Sequence, residues 1–316
     1  MVEAAMALTD FDRYFQNLPD FDREKDFMNF WQKAITDLKK IPLEPEVTKN
    51  SKKSDGGYSV FDVTFRSFMK TQVSGYLLKP KKVEKPPVII YVHDYNKVHE
   101  INTALLRNDT AYFFPTLRGH NFMPAPEKIE QTSPGYLIEN ILDKETYYIK
   151  AVYLDILRSI DTLRLIKDIN CGRIGIMGKG LGAAVALFAS AFSDRIVSLV
   201  LDTPSFCNLT LNQNISTSEA AREINDFITL TRGKKKQIKT TLTYFDALNF
   251  ADLVQCPVLT TVGFRDTQSP PDCIFGLFNN LLCDKTIEVY PDEGNSAGGE
   301  KQFTKSLDWL MERINS

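Results

Sequence analysis

Histidine is scarce in this 316-residue chain: there are three, His93, His99 and His120, and none follows position 120. Any catalytic arrangement that draws a histidine base from the second half of the chain is thereby excluded. Cysteine is also sparse. The five residues Cys171, Cys207, Cys256, Cys273 and Cys283 are odd in number and contain no CxxC pair, which argues against a disulfide framework or a zinc site. A reducing cytoplasm fits this usage best. No apolar run approaches membrane-spanning length. Residues 1–15 lack a basic region followed by an apolar run, so no signal peptide is expected. Charge of neither sign dominates, with 38 Lys and Arg against 40 Asp and Glu, so no global field favours nucleic acid or acidic membranes. Lys234-Lys235-Lys236 reads as a solvated helix start, because nothing basic and aromatic surrounds it. There is no internal repeat or low-complexity tract. The partners expected are small molecules, with no metal and no cofactor.

What is present is ordinary globular composition, 43% hydrophobic and 25% charged, in a length that α/β folds often use as one domain. Phe27, Trp31, Ala34 and Leu38 share one helical face within residues 22–40. Two extended runs, 58–68 and 72–78, mix apolar and polar residues as antiparallel strands at a sheet edge do. Residues 88–92 are then apolar on consecutive positions, the mark of a strand buried on both faces. Similar runs recur at 111–114, 173–177, 196–201, 257–262 and 286–290, with helical patterns between them, the clearest along Tyr148, Val152, Ile156, Ile160 and Leu163. This alternation predicts right-handed βαβ units around a mainly parallel sheet, with ligands beyond the strands' C-terminal ends. Residues 215–255 break the rhythm with helix alone and read as a cap inserted over the site.

The chemistry centres on Gly178-Lys179-Gly180-Leu181-Gly182, a glycine-rich turn between a buried strand and a small-residue helix. One reading is a phosphate cradle, in which backbone N–H groups at a helix start face an anion, but the spacing is neither GxGxxG nor a Walker loop. The other is a nucleophile elbow, G-x-S-x-G, with glycine at its centre. Gly178 and Gly182 supply the small residues that the sharp turn needs, while Gly180 offers no reacting atom. His93-Asp94-Tyr95 follows the strand at 88–92, where a loop donates a backbone N–H to an oxyanion hole. Asp266 follows the strand at 257–262, at the place of a triad acid, or else caps a helix starting near Pro270. The base should follow the strand at 286–290, but the sequence there, 291–299, holds no histidine.

These motifs resemble the acetyl xylan esterase and cephalosporin C deacetylase family, over nearly the whole chain. The segment from Asp26 to Trp31 is similar to its leading helix. His93-Asp94-Tyr95 resembles its histidine–glycine–tyrosine loop, with Asp94 in place of glycine. Thr116-Leu117-Arg118-Gly119-His120 resembles its arginine–glycine–glutamine motif, with His120 for glutamine. Thr243-Tyr244-Phe245-Asp246, Asn249-Phe250-Ala251 and residues 263–271 match further stretches. The resemblance implies an α/β-hydrolase fold with a helical cap, an N-terminal helix and antiparallel edge strands. It puts Gly180 at the nucleophile position, Asp266 at the acid and Asn295 at the histidine, with Ser296 at the glutamate beside it. It also implies oxyanion donors on Tyr95 and Leu181, short acyl esters of sugars as the substrate class, and closed homo-oligomers.

Three functions compete on these residues. A chain without nucleophile and base could still bind an acyl-ester or sugar-like ligand in a small apolar pocket lined by Tyr95, Gly180 and Asp266. It could be an esterase by another route, using His120, Lys179, Asp202, Cys207 or Asp266. It could serve as a structural or regulatory subunit, assembling through unpaired strands near residues 58–78.

Overall fold

A computed structural model describes residues 11–54, 57–95, 103–120 and 135–316. His99 and residues 1–10 of the expected leaderless start lie outside them.

One nine-stranded sheet runs in the order β1-β2-β3-β5-β4-β6-β7-β8-β9. Its parallel part is β4 (Pro87–Val92), β5 (Ala111–Pro115), β6 (Asn170–Lys179), β7 (Ile196–Asp202), β8 (Val258–Gly263) and β9 (Lys285–Tyr290). The consecutive apolar runs have a direct cause. Val88, Ile90, Leu199 and Leu201 enter the core on one face of the sheet, while Ile89, Met177 and Val200 enter the core on the other. The first face is covered by α1 (Phe27–Lys39), α2 (Tyr148–Leu163) and α3 (Leu181–Phe192), and the second by α8 (Gly299–Asn315) through Leu307, Leu310, Met311 and Ile314.

The antiparallel part is β1 (Glu46–Lys49), β2 (Tyr58–Arg66) and β3 (Gln72–Pro80). Here the expected edge is corrected. β2 pairs with β1 on one side and β3 on the other, and β3 pairs in turn with β5, so residues 58–78 expose no free strand edge. The outer strand is β1, whose four residues are all exposed. β2 reads as an edge because its buried residues are divided between the two faces, Tyr58 and Val60 on one and Val63 and Phe65 on the other, with half-buried, mostly polar residues between them.

The leading helix starts at Phe27, later than the pattern at 22–40 suggested. Asp22 N–H donates to Asn249 Oδ1 at 3.0 Å and Arg23 pairs with Asp252, which docks this stretch against residues 249–252. Trp31 is fully buried, donates Nε1–H to Tyr244 O at 3.0 Å and packs 4.5 Å from the Phe188 ring. Burying a side chain of this size contributes roughly 3 kcal/mol.

Between β7 and β8 the chain is helical apart from turns: α4 (Leu209–Ile215), α5 (Glu219–Leu230), α6 (Lys235–Thr243) and a 3-10 segment, Ala247–Leu253. The excursion begins six residues before position 215. Lys234, Lys235 and Lys236 are exposed at the start of α6. A further helix, α7 (Pro271–Asn280), follows β8.

Candidate functional site

The strands β4, β6, β7, β8 and β9 end together, and the turns leaving them carry most of the residues singled out above. β6 passes directly into α3 through Gly180, with φ +55° and ψ −118°. A side chain is strained at such a φ. The flanking glycines are required by close approach: a β-carbon on Gly178 would overlap the Gly182 carbonyl, and one on Gly182 the Val92 carbonyl. Gly180 N–H donates to Asp202 O at 3.0 Å, and Gly180 O accepts from Ser205 N and Ala183 N. The strained turn is therefore fully tied into its neighbours.

The N–H groups of Tyr95 and Leu181 do converge, and their shared acceptor is a side chain of this same chain. Asp94 Oδ1 accepts from Tyr95 N at 2.8 Å and from Leu181 N at 2.8 Å. The same carboxylate fills the space beside Gly180, where a β-carbon would overlap it. A loop N–H and the first N–H of a helix suit a carboxylate well, because both hydrogen bonds are charge-assisted. Next door, His93 accepts Leu117 N–H on Nε2 at 3.3 Å, so its proton is on Nδ1, which donates to Asp94 O at 2.7 Å.

Asp266 and Asn295 also meet. Asn295 Nδ2 donates to Asp266 Oδ2 at 3.2 Å and to Thr203 Oγ1 at 3.4 Å. Asp266 is buried, and its Oδ1 accepts from Gln268 N and Ser269 N. It thus closes its own loop and does not cap α7, whose preceding residue is Pro270. Ser296 is exposed and donates to Glu293.

The other candidates are dispersed. Lys179 pairs with Asp202 at 3.0 Å and also donates to Asn295 O at 3.0 Å, which holds β6, β7 and the loop after β9 together. Neither Lys179 nor Asp202 lines the cavity described next. Cys207 is wholly buried, donates to the carbonyls of Pro204 and Cys273, and has a thiol pushed well above its usual range by burial. His120 is buried among the rings of His93, Tyr95 and Tyr136, with Nδ1 3.2 Å from Arg118 O. Burial lowers its pKa.

A cavity of about 800 Å³ lies between these strand ends and α5. Tyr95 lines it, but Gly180 and Asp266 do not, so this cavity is not the small apolar pocket expected around those three residues. Its walls are polar instead, with Ser205, Ser216, Thr217, Ser218, Gln268, Ser269 and Asn295, and the charged Asp94, Glu219 and Arg222. The cause is the cap sequence Ser216-Thr217-Ser218-Glu219, which turns hydroxyls inward where an apolar lining was expected. Glu223 was missed altogether. From α5 its Oε2 accepts Tyr95 O–H at 2.7 Å and its Oε1 accepts Ile138 N–H at 3.2 Å, while the Tyr95 hydroxyl oxygen accepts Tyr136 N–H at 3.1 Å. Burial raises its pKa. Its signal in sequence was an acid at an inward position of an amphipathic helix. Arg118, in the third motif, is a buried ion pair with Asp155, bonded twice at 2.5 and 2.8 Å and joined by Ser67. No cluster of potential metal ligands occurs among the described residues, and no helix described is long and apolar enough to cross a membrane.

A mainly parallel sheet, a strand–turn–helix elbow at its centre and convergent backbone donors beside it define an α/β-hydrolase. The acetyl xylan esterase family model matches residues 1–313, and the chain belongs to that family. Among individual relatives, it is 23% identical to the acetyl esterase Axe7A of Xylanibacter ruminicola over 95% of this chain and 68% of that protein. The acetyl xylan esterase of Paenibacillus sp. R4 superposes with a TM-score of 0.86 at 25% identity, covering 95% of this chain and 99% of the other. Acetyl xylan esterase 1 of Thermoanaerobacterium sp. JW/SL YS485 shares the fold, with a TM-score of 0.84 at 20% identity over 96% and 98% of the two chains.

Proposed function

We propose that this chain is an acetyl xylan esterase homologue that binds a small polar ligand and does not hydrolyse esters. In this reading Gly180 takes the nucleophile's place, Asn295 the base's and Asp266 the acid's, while Tyr95 and Leu181 carry the oxyanion donors. One observation carries it: Asp94 Oδ1 already accepts both of those N–H groups. An ester carbonyl could reach them only by displacing a charged acceptor, whose hydrogen bonds contribute about 1.5–3 kcal/mol each. The losses at 180 and 295 act in the same direction, since removing a serine nucleophile or its base typically costs about a millionfold in turnover.

The alternative, hydrolysis by another constellation, has only the Lys179–Asp202 pair in its favour, and that pair is outside the cavity. The test is acetate release from p-nitrophenyl acetate by the purified chain, with the Paenibacillus sp. R4 enzyme alongside. The expected rate equals that of buffer. Turnover within tenfold of the relative, surviving removal of contaminating esterases, overturns the proposal. Self-assembly and a cytoplasmic location belong to the same proposal. The five free cysteines, four of them buried, support a reducing compartment, and light scattering at high concentration tests assembly, which a strict monomer would exclude.

A further inference from the structure

A CH2–carboxylate with one oxygen between two backbone N–H groups is the chemical fragment of an acetate seated in an oxyanion hole. Asp94 supplies that fragment from within the chain, on the N–H groups of Tyr95 and Leu181. The acyl seat is filled, and the 800 Å³ cavity beside it is what remains for the alcohol half of an ester. That half meets hydroxyls and amides, including Ser205, Ser216 and Gln268.

We infer that the cavity takes a free polyhydroxylated molecule, the alcohol without its acyl group, and selects against the corresponding ester. This rests on the reading of the site as non-hydrolysing. A hydroxyl donates and accepts, as do the serine, threonine and amide groups facing it. Acetylation removes the donor, adds bulk, and brings a carbonyl for which no seat is left. Asp94, Glu219 and Arg222 give the walls both signs of charge, which suits a neutral ligand.

Isothermal titration of the full chain with xylotriose and with fully acetylated xylotriose tests this, together with Ser205→Ala, which removes a half-buried hydroxyl of the cavity wall. The expected result is binding of xylotriose roughly tenfold or more tighter than its acetylated form, and about fivefold weaker binding of xylotriose by the variant. Equal or tighter binding of the acetylated form overturns the inference, as does no binding of either at millimolar concentration, or a variant of unchanged affinity. In each of these cases the non-hydrolysing reading stands if the ester is recovered intact. Acetate release during the titration instead overturns that reading.

Discussion

Asn295 holds the carboxylate of Asp266 across 3.2 Å, so an amide stands against the buried acid at the mouth of the polar cavity. An amide can orient a carboxylate but cannot carry a proton through a reaction cycle. Asn295→Ala removes one of the donors that Asp266 receives, leaving those of Gln268 and Ser269. Urea unfolding is expected to show a loss of about 1 kcal/mol. A loss above about 3 kcal/mol would mean that Asn295 bears on more than this carboxylate.

The pair Gly180→Ser and Asn295→His is expected to remain silent toward p-nitrophenyl acetate. A side chain at 180 would overlap Asp94 and be strained by the positive φ, so Gly180→Ser alone should cost about 2–4 kcal/mol of stability. Adding Asp94→Gly empties both the side-chain space and the two N–H groups. The triple variant is expected to release acetate at a measurable rate and to recover part of the lost stability. Hydrolysis by the double variant, or additive stability losses in the cycle of positions 94 and 180, would contradict the described blockade.

Breaking the ion pair between Arg118 and Asp155 leaves one charge buried and alone. Arg118→Ala is expected to cost about 3–5 kcal/mol in denaturant unfolding. Arg118 is only 8% exposed, and its guanidinium also donates to Phe68 O, so water cannot readily replace its partners. A loss under about 1 kcal/mol would place the pair among weak surface bridges.

His120 gives a pH dependence of defined sign. Burial holds its folded pKa below the ordinary 6.5, so the unfolded chain takes up the proton first as pH falls. Its contribution to stability is complete above 6.5 and is lost as pH drops through the lower folded value. His120→Gln removes this term. The difference in unfolding free energy between about pH 7.5 and about pH 5 should be smaller for the variant than for the parent chain. An equal difference would show that His120 takes up its proton alike in the folded and the unfolded chain.

Glu223 ties the cap to the loop after β4. Glu223→Ala leaves Tyr95 O–H and Ile138 N–H without their acceptor. Each lost acceptor costs roughly 1–3 kcal/mol if the groups stay buried. Amide exchange in residues 219–230 is expected to accelerate in the variant. Unchanged exchange there would mean that the helix is anchored by its other contacts.

The parallel strands β4 to β8 were legible because each carries a run buried on both faces, whereas β9, read the same way, has no fully buried residue and lies at the sheet's end; the elbow was legible because Gly178 and Gly182 bracket it. β1 was not, since its four exposed residues bear no apolar pattern and its existence depends on pairing with β2. The convergence of Asp266 with Asn295 could be expected from resemblance alone, since residue spacing leaves the register of 291–299 open. The occupant of the two backbone donors escaped sequence reading. Its signal was a coincidence: Asp94 stands where the resembled family has glycine, and Gly180 where it has serine. Each looks like a separate departure until the Asp94 carboxylate is seen to fill the space that a side chain at 180 would take. The polar cavity was legible in principle from Ser216-Thr217-Ser218, but helical periodicity draws attention to apolar stripes and passes over the turn before α5.

The shared space at Asp94 and Gly180 makes the two positions one unit. With any β-carbon at position 180, an aspartate at 94 cannot sit as it does here. A side chain introduced at 180 must first turn the carboxylate out of its place, and the two backbone donors are then released with it. What position 180 tolerates is therefore set at position 94, and neither can be redesigned alone.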